Sequence, residues 1–201
     1  VVRDKLTDKV SLPKVHMSWL SPAVYKPGDA ELDIIADVLT EGKSSKLYNA
    51  LVYDKQIAQS VSAYQYSRGI RSTFNVEVIA ASGVKLDTIE AAVDEVLAEV
   101  RDKQVSEREL KRVKNQYEAG FVKRMQSLNA RAAMLNGYYA NLGNPGYAAK
   151  DLQRYMDVTA GDVHSTAKNV LDPNARVIMH IVPKPKKDGP KKKEGAKGKA
   201  S

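Results

Sequence analysis

His16, His164 and His180 are the side chains of this 201-residue chain best suited to hold a metal or move a proton near neutral pH. A helical zinc site of the H-x-x-E-H kind places two histidines four residues apart on one helix face, with a glutamate between them to activate water. The three histidines stand far apart, and no glutamate gives that spacing. The sequence therefore offers no such metal site, and each histidine reads as structural. Without cysteine there is neither a thiolate zinc site nor a disulfide framework. Gly42-Lys43-Ser44-Ser45 ends like a phosphate loop, but the earlier glycine of G-x-x-x-x-G-K-S is missing and an apolar helix precedes it. Ser44 and Ser45 have no base at a useful spacing, so neither reads as a nucleophile. These residues do not equip the chain to catalyse a reaction alone.

The elements that position them follow from hydrophobic period. Around Pro13–Ala23, Val15, Met17 and Trp19 alternate with Lys14, His16 and Ser18, which predicts a half-buried strand. Lys26-Pro27-Gly28 closes it, and Asp29 is the expected cap of a helix from Ala30 to Thr40. Gly42 stops that helix, and a short second helix is expected over about residues 46–55. Ile57–Ser67 and Thr73–Ala81 read as antiparallel strands around the Ser67-Arg68-Gly69 turn, with Ile57, Gln59, Val61 and Ala63 on one face.

Leu86–Lys103 has apolar residues stepping by three and four. Ser106-Glu107-Arg108-Glu109 is a capping box that opens a long helix. Its weak point is Gly120 or Ser127–Asn129, and it is expected to reach about Tyr139. Leu152–Met156, a helix capped at Thr159, and a strand over Arg176–Val182 complete the order. Locally paired strands followed by a block of helices predict an α+β fold, a largely antiparallel sheet with helices packed on one face. Trp19, Leu39, Leu51, Val61, Val78, Val93 and Leu97 form the expected core.

The net charge of +8 is concentrated at one end. From Lys184 onward, eight lysines face Asp188 and Glu194, a net +6 that leaves +2 for residues 1–183. The expected organisation is one domain over 1–183 and a disordered Lys/Pro/Gly-rich tail over 184–201. Such a tail resembles basic nucleic-acid-binding tails, but it lacks arginine and aromatics, so specific nucleic-acid recognition is not expected. No apolar run approaches the roughly 18 residues that span a bilayer. The chain starts on Val and is expected to be a fragment of a longer precursor. Cysteine usage leaves the compartment open, with the bacterial periplasm favoured.

Val38–Tyr64, VLTEGKSSKLYNALVYDKQIAQSVSAY, resembles the helix–turn–helix–strand segment of the insulinase/pitrilysin/mitochondrial-processing-peptidase superfamily. The element order is similar over roughly residues 10–183. The resemblance implies the processing-peptidase-like α+β domain of its non-catalytic, C-terminal type. It implies a homologous partner domain or subunit that bears H-x-x-E-H and the zinc, with no cofactor in this chain, and a peptide substrate. Together the two would make a zinc metalloendopeptidase of which this chain is a substrate-chamber domain. The alternative is a structural or assembly protein of the same fold without a peptidase role. In the family, the metal-free domain presents an Arg and a Tyr near the scissile carbonyl. The tyrosine position falls here on Gln59 and the arginine on Val52 or Tyr53, so Gln59 and Tyr53 are the expected substrate-binding residues and no positive charge is retained.

Overall fold

The computed structural model describes residues 1–184, and the lysine-rich segment from residue 185 lies outside the described residues. Five strands form one sheet in the order β1-β5-β2-β4-β3. They are β1 (Val2–Asp8), β2 (Lys14–Ser21), β3 (Ala58–Tyr66), β4 (Ser72–Ala80) and β5 (Arg176–Pro183). Every neighbouring pair is antiparallel except β1–β5, which is parallel. The helices are α1 (Asp29–Thr40), α2 (Leu86–Asp102), α3 (Glu107–Gln126), α4 (Leu128–Leu142), α5 (Ala148–Asp157) and α6 (Ala160–Val170). This is the α+β architecture that the element order predicts.

The register fixes which side chains share a face. Trp19 lies opposite Phe74 and Arg176, Met17 opposite Val76 and Ile178, and Val15 opposite Val78 and His180. That face packs against α1, α2 and α6 and holds the core. Ile34, Ile35 and Leu39 of α1 and Ile89, Val93 and Leu97 of α2 reach full burial there. Of the seven expected core residues, six are buried, and Val61 near the sheet edge is half-buried. Leu97→Ala should cost about 3 kcal/mol, since the space left by a fully buried leucine is only partly refilled. Chemical denaturation measures it, and a loss below about half a kcal/mol would mean that this helix face is not a packed one.

Local chemistry departs from the sequence pattern in three places, and a fourth decides between the two expected weak points of the long helix. The strand β1 was not expected: all seven residues are exposed, so no apolar alternation marks it, and its backbone pairing with β5 defines it. The second helix is wound as a π-helix over Tyr48–Asp54, with the Lys55 amide donating to the Ala50 carbonyl. The long helix breaks at Ser127, whose extended backbone ends α3 and whose hydroxyl caps α4, while Gly120 stays inside α3. Asp29 is not the cap of α1. Gly28 holds that place at φ 94°, and Asp29 turns inward to accept hydrogen bonds from the Tyr25 amide and the Ser67 hydroxyl.

The turn between the π-helix and β3 holds Gln56 at φ 50°, where a side chain crowds the carbonyl. Gln56→Gly should therefore stabilise the fold by about 0.5–1 kcal/mol, the relief exceeding the added chain entropy of glycine. A lowered midpoint on denaturation would show that the Gln56 side chain compensates for its own backbone.

Candidate functional site

The opposite face of the sheet is the open one. Lys14, His16, Ser18 and Leu20 of β2 lie in register with Ile79, Glu77, Asn75 and Thr73 of β4. Ser60, Ser62, Tyr64 and Tyr66 of β3 extend the row, with Val177, Met179 and Ile181 of β5 on the other side. Apart from Asn75 these residues are exposed or half-buried. Strands reading apolar inward and polar outward produce such a face.

Glu77 organises its centre. The Tyr64 hydroxyl donates to Glu77 Oε1 at 2.9 Å, His16 Nδ1 lies 3.1 Å from the same oxygen, and Lys14 Nζ is 3.7 Å from Oε2. Burial pushes the Glu77 carboxyl up, but the Tyr64 hydrogen bond with the Lys14 and His16 charges outweighs it, holding the group below its ordinary value. The Tyr64 phenol is pushed up, first by burial and then by Glu77. The result is a carboxylate that orients an imidazole and a phenol on an exposed wall. Sequence spacing puts Lys14 and His16 on one face, but only the β2–β4 register brings Glu77 to them.

Gln59 sits beside this cluster because of a bulge. Ala58 pairs with Ala80 and Ser60 with Ile79, leaving Gln59 as the extra residue. Strict alternation would set Gln59 on the face of Val61. In the structure it is exposed and lines a groove of about 300 Å³ with Val10, Ser11, Leu12, Lys14 and Ile79. Tyr53 is 71% exposed on the π-helix and does not line that groove, whereas Val52 packs against the core. The two expected substrate-binding residues thus both reach solvent, separated by the Gln56 turn. Gly42-Lys43-Ser44-Ser45 is a closed turn: Ser45 is buried and its hydroxyl donates to the Gly42 carbonyl at 2.6 Å.

Among the described residues one group has metal-ligand types within reach of one another: Asp87, Glu90 and His180. Sequence distance hid it, since His180 comes from β5 and both carboxylates from the first turns of α2. His180 Nε2 is 3.4 Å from Glu90 Oε2 without a formed hydrogen bond. Both Glu90 oxygens are already engaged at 2.6 Å by the two terminal nitrogens of Arg3. A cation would have to displace a guanidinium, so the arrangement fits an ion-pair network that ties β1 to α2 better than a metal centre.

The family model for the peptidase M16 inactive domain matches residues 1–117. The zinc protease PqqE of Helicobacter pylori is 22% identical over 175 residues, covering 84% of this chain. The chain spans only 39% of that relative's length. Among solved structures, a protease from Helicobacter pylori superposes with a TM-score of 0.81 at 20% identity, over 90% of this chain and 44% of its own. The inactive peptidase domain of a candidate zinc protease from Bordetella parapertussis gives 0.80 at 21% identity, over 91% of this chain and 98% of its own. These structures share the α+β fold described above. With the family model spanning more than half of the sequence, this chain belongs to the peptidase M16 family, as a domain of its inactive type.

Proposed function

We propose that the chain is a non-catalytic substrate-chamber domain of a zinc metallopeptidase, and that residues 1–183 act as one such domain. In this reading a homologous domain or subunit supplies H-x-x-E-H, the zinc and the activated water. The chain supplies the opposite wall. The observation that carries the reading is the open sheet face, where the Gln59 groove adjoins the Lys14–His16–Glu77–Tyr64 cluster. A peptide lying on that face would meet hydrogen-bond donors and acceptors on a rigid sheet. Gln59 is a neutral amide, and Tyr53 carries a hydroxyl without charge. The domain therefore positions a peptide and gives modest help to developing negative charge, and it hydrolyses nothing by itself.

The test is turnover and substrate affinity in the reconstituted enzyme for Gln59→Ala, Tyr53→Phe and the double variant. Removing a strong oxyanion donor costs about a hundredfold or more in rate, and a neutral, exposed amide should cost less, about threefold to tenfold for Gln59→Ala. Tyr53→Phe should have the smaller effect, because its hydroxyl lies outside the groove. Unchanged kinetics in all three variants would reduce the wall to a container and favour a structural or assembly role for the fold.

A further inference from the structure

The helix α4 presents an apolar stripe that the rest of the described chain leaves uncovered. Leu128, Ala132, Leu135, Tyr139 and Leu142 recur at intervals of four and three, the spacing of a coiled-coil seam. All five are exposed, Leu128 by 72% and Tyr139 by 64%. Only Tyr138 of this helix is buried, donating to Asp151 at 2.8 Å and packing edge-on against Tyr147. That anchor fixes the helix in place with its seam turned outward. A contiguous row of large exposed apolar side chains marks a contact surface.

We infer that this stripe docks an amphipathic helix with acidic flanks, contributed by the homologous partner domain. The heptad spacing selects a helix, because its knobs and holes match another helix and not a strand. Charge selects the flanks. Residues 119–149 carry Lys123, Arg124 and Arg131 and no carboxylate. A second copy of the chain would bring the same Arg131 to the contact, and its α4 carries no carboxylate to neutralise it. The identity of the partner rests on the proposed function and on relatives of which this chain spans 39% and 44%, so that more than half of each lies beyond a domain of this kind. The helical, acidic chemistry rests on α4 and on the basic last turn of α3 that precedes it.

The experiment uses the 201-residue chain and a fluorescent, hydrocarbon-stapled helix of two heptads with Leu along its seam and Glu on both flanks. Saturable one-to-one binding is expected by anisotropy, weakened about tenfold or more by Leu135→Asp, as for loss of a central apolar anchor. Tyr139→Asp should act alike, and thermal melts of both variants should match the parent because both positions are exposed. A probe with Lys in place of Glu should bind at least about tenfold more weakly, with the difference shrinking at high salt. No saturation, equal binding of the two probes, or a self-associated chain that Leu135→Asp turns monomeric would each overturn the inference. Intact helix binding alongside unchanged kinetics for the Gln59 and Tyr53 variants would sink the chamber reading alone. Lost helix binding with those kinetic effects preserved would sink only the docking surface.

Discussion

Arg176→Met is expected to cost about 3 kcal/mol, and the double variant Arg176→Met/Asp94→Leu to recover most of that loss. The guanidinium is almost completely buried beneath the sheet at the start of β5. It makes two bonds to Asp94, one of them at 2.7 Å from Nη2, lies 5.6 Å above the Trp19 ring, and stands 3.9 Å from Glu90. Its attraction to Asp94 is offset by the desolvation of a full charge, so the pair as a whole contributes little net stability. Removing one partner is different, because Asp94 loses its counter-ion while remaining only 34% exposed. The partial exposure places the loss at the low end of the range for broken buried pairs, about 3–5 kcal/mol. In a chain of this size it should lower the melting temperature by roughly 10 °C. A single variant that melts with the parent would mean that the pair is not formed. A double variant no better than the single one would mean that Arg176 acts through Trp19 and Glu90.

Asp33 should make stability fall as pH rises from 4 to 8, and Asp33→Asn should remove that dependence. The carboxyl sits in α1 facing α5 and accepts a hydrogen bond from the Tyr155 hydroxyl at 2.7 Å, with the Tyr155 ring stacked 3.7 Å from Tyr117. Burial pushes it from 3.8 to about 7, against the opposing effect of the Tyr155 bond. Because the folded value lies above the unfolded one, the native state binds the extra proton between them, and stability falls with rising pH through that window. The contribution is complete below about 4 and lost above about 7. Asp37, raised to about 6 by burial and by Glu41, acts in the same direction. Glu77, Glu109 and Asp162 are lowered and act in the opposite one. The difference between parent and Asp33→Asn isolates the one group. Asparagine keeps an acceptor for Tyr155, so the two proteins should be nearly equal at pH 4, and the variant should be more stable by about 2–4 kcal/mol at pH 8. A difference that does not change with pH would show that Asp33 is hydrated in the native state.

The local rules of the chain were legible in its residues. Helix α2 is marked by apolar residues at steps of three and four, and the caps at Ser106 and Thr159 form as their sequences predict, each with an acidic residue closing the box. The inward face of β2 follows from the alternation of Val15, Met17 and Trp19. These features depend on period and on hydrogen bonds spanning three or four residues, which a linear sequence carries in full. The family resemblance was legible for the same reason, since it lies in one continuous segment.

Tertiary structure decided what depends on partners distant in sequence. Nothing in VRDKLTD marks a strand, because β1 is defined by the free edge of β5 and buries no face of its own. The bulge that turns Gln59 onto the open face arises where β3 must match β4, and period-two counting cannot register an extra residue. Glu77 meets His16 across 61 positions, Glu90 meets His180 across 90, and Arg154 joins Asp151 to Asp29 across 125. The sequence of α4 is apolar on most sides, and such a pattern ordinarily signals burial. Only the packed chain shows that its Leu128–Leu142 seam has no cover among the described residues, because exposure is a property of what the other elements leave open.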